Sequence, residues 1–138
     1  MGIVVEHTKV QDDGVAYRLQ VFIDALQGDG VLAYSMNRPL AEELIKLKPF
    51  QRTMQMQRCF NSVLESLPAT PIIKDIDVMF NPSYKIDVLK ILTDAYKQKP
   101  FKLIWPGERR NDKLIYSEPG LPDYKEYDIS NYDIMFIE

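Results

Sequence analysis

The residues best placed to do chemistry in this chain are charged groups at the ends of apolar runs. The clearest case is PIIKDIDVMFNP, residues 71–82, in which a β-branched run gives way to Asp75 and Asp77. P-loop proteins hold magnesium with an acidic residue at a strand end, and cradle the phosphates in a separate GxxxxGK[ST] loop with backbone amides and a lysine. Here Lys74 directly follows the run, so a cation stands where the metal-binding carboxylate would be and opposes a divalent ion. Two residues apart on an extended strand, Asp75 and Asp77 share a face. They read either as turn and capping carboxylates or as a metal or nucleotide pair.

The matching phosphate loop is expected after the first strand, and the first β-branched run is Ile3 to Val5. The loop that follows, EHTKVQDDGV, has one glycine, Gly14, and a lysine, Lys9, followed by valine instead of Ser or Thr. Glu6, Asp12 and Asp13 would repel a nucleotide's phosphates. Downstream, WPGERRNDK gathers Arg109, Arg110 and Lys113. An arginine there could reach a neighbouring subunit's phosphate as a finger, or the stretch could be a solvated turn. An unorthodox nucleotide site would draw on Lys9, Asp75, Asp77 and Arg109 or Arg110. A metal-dependent nuclease built on Asp75, Asp77 and Glu108 lacks the acid-x-lysine spacing such sites use. The single cysteine, Cys59, and single histidine, His7, exclude an internal disulfide, a cysteine zinc cluster and a multi-histidine metal site. Cys59 falls at helical spacing with Met56, Phe60, Val63, Leu64 and Leu67 and reads as a core residue.

These residues need elements to position them. Val15, Leu19, Phe22, Ile23 and Leu26 recur with an amphipathic helical period, ending at QGDG, which predicts a helix over 15–26. Residues 31–37 read as a strand, and RPLAEELIKLK as a helix with Pro39 in its first turn and Pro49 beyond its end. A helix over about 53–67 is closed by Pro68 and Pro71. Residues 72–79 form the third strand, apolar enough to be covered on both faces. SYKIDVLKILTDAYKQ gives another helix and FKLIW, 101–105, the fourth strand; KLIYS and YDIMFIE are later candidates, separated by the Pro- and Gly-rich EPGLPDYKEYD. Strand and helix patterns alternating through residue 105 predict a three-layer α/β domain with a mostly parallel sheet, the strands at 3–5, 31–36, 72–77 and 101–105 lying side by side. Ligands of such sheets sit at the carboxyl ends of the strands.

With 138 residues, 46% hydrophobic and 27% charged, the chain is expected to be one globular domain over 1–138. The net charge of −3 argues against a nucleic-acid-coating role. No apolar run approaches a membrane span and MGIVVEH lacks signal-peptide features, so we expect a cytoplasmic protein that does not engage the membrane. Trp105, Tyr116, Tyr124 and Tyr127 suit a protein interface, since aromatic residues on semi-rigid loops make good contacts, although edge-strand packing accounts for them as well. Glu118, Asp123, Glu126, Asp128 and Asp133 among the tyrosines disfavour direct stacking on nucleic acid.

The stretches KDIDVMFNPSYKIDVLKIL, FKLIWPGE and KLIYSEPGLPDYKEYDI, with LAYSMNRPLAEELIKLKPFQRTMQMQR upstream, resemble the BrxF-like small P-loop proteins of type III BREX phage-defence systems. The resemblance covers about residues 30–138. It implies a P-loop, AAA-like α/β fold and work alongside other defence-system proteins, with a homo-oligomer open. The chain departs from the family at its functional residues. It shows no GxxxxGK[ST] loop, Lys74 falls where the family has an acidic residue, Asp75 and Asp77 replace Asn and Glu, and Leu121 replaces His. The resemblance therefore implies a pseudo-ATPase: a non-catalytic interaction subunit with a degenerate Walker A loop and no cofactor. The alternative is an ATPase that binds ATP and magnesium unconventionally, as a motor or regulator in the same system.

Overall fold

Four consecutive residues, Leu19–Phe22, are buried on every side, a burial pattern that belongs to the middle of a covered sheet. A computed structural model describes residues 2–5, 18–23 and 32–138. Its strands are β1 (Ile3–Val5), β2 (Leu19–Phe22), β3 (Ala33–Ser35), β4 (Ile72–Lys74), β5 (Lys102–Ile104), β6 (Glu108–Arg110), β7 (Lys113–Tyr116), β8 (Lys125–Asp128) and β9 (Ile134–Ile137). Its helices are α1 (Asn37–Ile45), α2 (Pro49–Glu65) and α3 (Val88–Gln98), with 3-10 turns at Asp77–Phe80 and Ile129–Asn131.

The chain has an α/β fold. Six strands form one sheet in the order β1-β9-β2-β5-β4-β3, and every pairing in it is parallel. Register aligns Val4, Phe136, Val21, Leu103, Ile73 and Tyr34 in one row across the sheet. Val21, Leu103 and Ile73 are fully buried at its centre. The crossovers from β3 to β4 through α2 and from β4 to β5 through α3 run in the same direction, so right-handed connections place both helices on one face.

Each helix follows from its sequence. In α2 the buried Met56, Cys59, Phe60, Val63 and Leu64 recur at three- and four-residue steps behind Pro49 in the first turn. The Lys99 ammonium donates to the Leu64 and Leu67 carbonyls and so caps that helix's end from the far side of α3. In α3 the Asp87 carboxylate accepts from the Lys90 amide at 3.1 Å. Burial pushes the Cys59 thiol above its usual value, as suits a side chain packed inside α2.

A second, antiparallel sheet, β6-β7-β8, interrupts the crossover from β5 to β9. Residues 108–116 therefore form a hairpin whose turn holds Asn111 at φ 56, a left-handed conformation that asparagine tolerates. The Pro- and Gly-rich stretch beyond it is ordered by packing, with β8 pairing along β7.

Several expectations need correction. Residues 19–22, predicted to be helical, form the central strand β2. Over so short a run, apolar spacing fits both periods, and burial on both faces removes the alternation that marks a strand. β1 does not lie beside β3, β4 and β5; it is an edge strand next to β9. β4 ends at Lys74, and Asp75 turns left-handed at φ 53 before the 3-10 turn. Period-two reasoning thus fails there, and Asp75 and Asp77 do not belong to one strand face. The remainder of the helix predicted over 15–26, at 15–17 and 24–26, lies outside the described residues.

Candidate functional site

Parallel pairing brings the carboxyl ends of β2, β3, β4, β5 and β9 to one edge of the sheet, where ligands of such folds bind. At that edge the chain leaving β3 meets the chain leaving β4. The Met36 amide donates to the Lys74 carbonyl at 2.9 Å. The Asn37 side-chain amide donates to Asp77 Oδ1 at 3.2 Å, and its carbonyl accepts from the Val78 amide at 2.8 Å. Tyr116, arriving from the meander, donates to Asp77 Oδ2 at 3.0 Å. Both Asp77 oxygens are thereby engaged in holding three segments together, a turn-and-clamp role.

Tyr116 also stacks on Phe80 with ring centroids 3.8 Å apart. Trp105 stands edge-on to Phe80 and to Tyr127, and Tyr127 edge-on to Tyr132. This aromatic ladder joins β5, the 3-10 turn and the meander. Polar ends are satisfied along it. The Trp105 indole donates to the Ile115 carbonyl at 2.9 Å, Tyr127 Oη accepts from the Val88 amide at 3.2 Å, and Tyr132 donates to Asp87 at 2.8 Å. Trp105, Tyr116 and Tyr127 are 2%, 9% and 7% exposed, so these three lie inside the fold. Tyr124 is half-buried and donates to Glu126 at 2.6 Å.

The structure places the nucleotide-site residues apart in function. Lys9 lies outside the described residues. Asp75 follows β4 with no hydrogen bond or ion pair among the described residues, and Lys74 beside it is exposed. Arg109 donates to the Asn111 carbonyl at 2.7 Å, pairs with Glu138, and lies over the Phe136 ring at 5.2 Å from its centroid. Arg110 pairs with Glu108 on the exposed face of the hairpin. Neither arginine is therefore unpaired and ready for phosphate. An open groove of about 720 Å³ runs past Asn37, Arg38, Asp77, Phe80, Asn81 and Asp123, and carries both signs of charge. Among the described residues no three His, Cys, Asp or Glu side chains converge on a possible metal position. Among the described residues Asp75, Asp77, Arg109 and Arg110 are therefore not arranged around one position for a magnesium nucleotide. Among the described residues no helix is long and apolar enough to cross a membrane.

Sequence reasoning missed Asn37 because a polar residue opening a helix reads as a cap. Its partner Asp77 lies forty residues away. No family model, curated protein or solved structure matches the chain.

Proposed function

We propose that this chain is a non-catalytic interaction subunit built on a degenerate P-loop-type domain, working with other proteins of a BREX-like phage-defence system. The observation that carries the reading is the position of β2. Counted from β2, the core strands run across the sheet in the order fifth, first, fourth, third, second. That order is the one found in AAA-like P-loop domains, where one strand separates the phosphate-loop strand from the acidic strand. In this frame the phosphate loop follows β2, not β1. The sequence there, ALQGDGVL over residues 25–32, keeps Gly28 and Gly30, but Val31 stands in place of the lysine and Leu32 in place of Ser or Thr. The acidic strand is β4, and it ends in Lys74. Losing the phosphate lysine, the magnesium hydroxyl and the metal carboxylate together removes nucleotide chemistry while leaving a framework that packs without a ligand.

The defence setting rests on the resemblance over residues 30–138, and one of its motifs has a structural reason here. In Trp105-Pro106-Gly107 the tryptophan holds the meander through the Ile115 carbonyl, and the glycine sits against that same carbonyl. Calorimetric titration with magnesium-ATP tests the reading. We expect no heat of binding and no change of melting temperature at millimolar nucleotide. A dissociation constant at or below about 100 μM, roughly −5.5 kcal/mol, would favour the ATPase instead.

A further inference from the structure

The outer side of α2 is apolar where it begins. Phe50 and Met54, four residues apart and so neighbours on one helix face, are 71% and 81% exposed. Single exposed apolar residues are ordinary, but two large ones in succession beside basic side chains are not. Arg58 continues the same side of the helix and, among the described residues, donates to the neutral Gln55 and forms no ion pair. Lys48 stands just before the helix with no ion pair among the described residues. Glu43, whose carboxyl feels the Arg58 charge, is already held more strongly by Lys46. Residues 37–65 carry five basic and three acidic side chains. The strip therefore suits a partner that is apolar at its centre and acidic at its rim.

The chain presents such a surface itself. Leu121 is 50% exposed at the tip of the loop between β7 and β8, between the exposed Pro119 and Pro122. Glu118 and Asp123 flank it, and residues 117–138 carry six acidic side chains and one basic. The tip is already rigid. Leu121 donates to the Glu118 carbonyl and Tyr124 to the Leu121 carbonyl, both at 3.1 Å, and Ser117 is tied to Asp123 at 2.6 Å. A preorganised knob loses little entropy on docking.

We infer that a second copy of this chain docks its Glu118–Asp123 tip onto the Phe50–Met54 strip, with Leu121 between the two apolar side chains and Glu118 and Asp123 against Arg58 and Lys48. The two surfaces are different parts of the molecule, so the contact is head-to-tail, and repeated it gives a ring or an open filament. This names the first partner of the interaction subunit proposed above. Its failure would leave that proposal to the nucleotide titration.

Sedimentation velocity over rising protein concentration reads the association, with circular dichroism confirming that each variant is folded. We expect mass to grow above that of one chain at low salt and to fall back by 0.5 M salt, about twice the screening of 0.15 M. Met54→Glu and Leu121→Glu should each leave monomers, as should Arg58→Glu or Glu118→Arg alone. An equimolar mixture of the Arg58→Glu and Glu118→Arg chains should recover association in which the two chains alternate, because both strip-to-tip pairings between unlike chains are complementary and both between like chains repel. A wild-type chain monomeric at about 0.5 mM and low salt overturns the inference. So does association untouched by Met54→Glu and Leu121→Glu. So, too, does a monomer whose strip instead binds a synthetic acidic, leucine-bearing peptide unrelated to residues 118–123, which would assign the strip to a different protein.

Discussion

The Ile115 carbonyl accepts the Trp105 indole proton at 2.9 Å, and Gly107, two residues beyond the tryptophan, lies against the same oxygen. A Cβ at position 107 would meet that oxygen at 2.0 Å and the indole nitrogen at 3.0 Å. Backbone, not a flexible side-chain end, would have to move. Gly107→Ala should therefore destabilise the chain by about 2–3 kcal/mol, as overpacking does, measured by urea denaturation followed by circular dichroism. An unchanged midpoint would mean that the meander is not anchored through this carbonyl.

Asp77 accepts from both Asn37 and Tyr116, so the two donors should be coupled through it. Asn37→Ala also strands the Val78 amide. Each of Asn37→Ala and Tyr116→Phe should cost about 1–2 kcal/mol. The double variant should depart from additivity by about 0.5 kcal/mol or more, because the substitutions share one carboxylate. Strict additivity in a denaturation cycle would show that Asp77 does not bind the three segments as one unit.

Much of the scaffold was legible in the sequence, and the gaps have physical causes. α1, α2 and α3 carry unbroken apolar stripes with prolines or carboxylates at their starts, and β3, β4 and β5 stand before α1, between α2 and α3, and after α3 as short runs. β2 was hidden because Leu19, Val21 and Phe22 face two covered sides, and Leu19 and Phe22 fell in with a helical period running from Val15 to Ile23 and Leu26. In the P-loop frame proposed above, that one misreading also shifts the expected phosphate loop from the segment after β2 to the segment after β1. β8 was hidden by Pro119, Gly120 and Pro122, which mark the turn before it and not the strand. The Asn37–Asp77–Tyr116 cluster draws on three distant segments and leaves no local spacing to detect.

The tyrosines set an alkaline limit. Burial, with smaller contributions from neighbours, pushes Tyr127 up to about 12. Burial also raises Tyr116 and Tyr132, each helped by its hydrogen bond to an aspartate. The folded values exceed the ordinary value near 10, so above that pH the folded chain keeps protons that the unfolded chain loses. Their stabilisation is complete below about pH 10 and is lost as pH climbs to about 12 and beyond, at up to ~1.4 kcal/mol per pH unit for each tyrosine, less where solvent screens. Denaturation midpoints between pH 9 and 11.5 should fall steeply, and Tyr127→Phe should fall less steeply than the wild type. Equal slopes would remove Tyr127 from the titration.

The identity of the fold itself can be tested by restoring what the sequence lacks. If the segment after β2 is a degraded phosphate loop, then Ala25→Gly, Val31→Lys and Leu32→Ser together rebuild GLQGDGKS, which matches GxxxxGK[ST] at every specified position. Adding Lys74→Asp returns a carboxylate to the end of β4, the acidic strand of such a site. The lysine supplies a cation for the β- and γ-phosphates, the serine a hydroxyl for magnesium, and the aspartate removes a charge that opposes the metal. The fourfold variant should bind magnesium-ATP at least about tenfold more tightly than the wild type, a gain of about 1.4 kcal/mol or more, and the gain should need magnesium. The same four substitutions on any other α/β sheet would place a lysine and an aspartate with no common ligand. A folded variant with no gain in calorimetric titration would therefore reject the P-loop frame, and with it the account of how this chain lost its nucleotide.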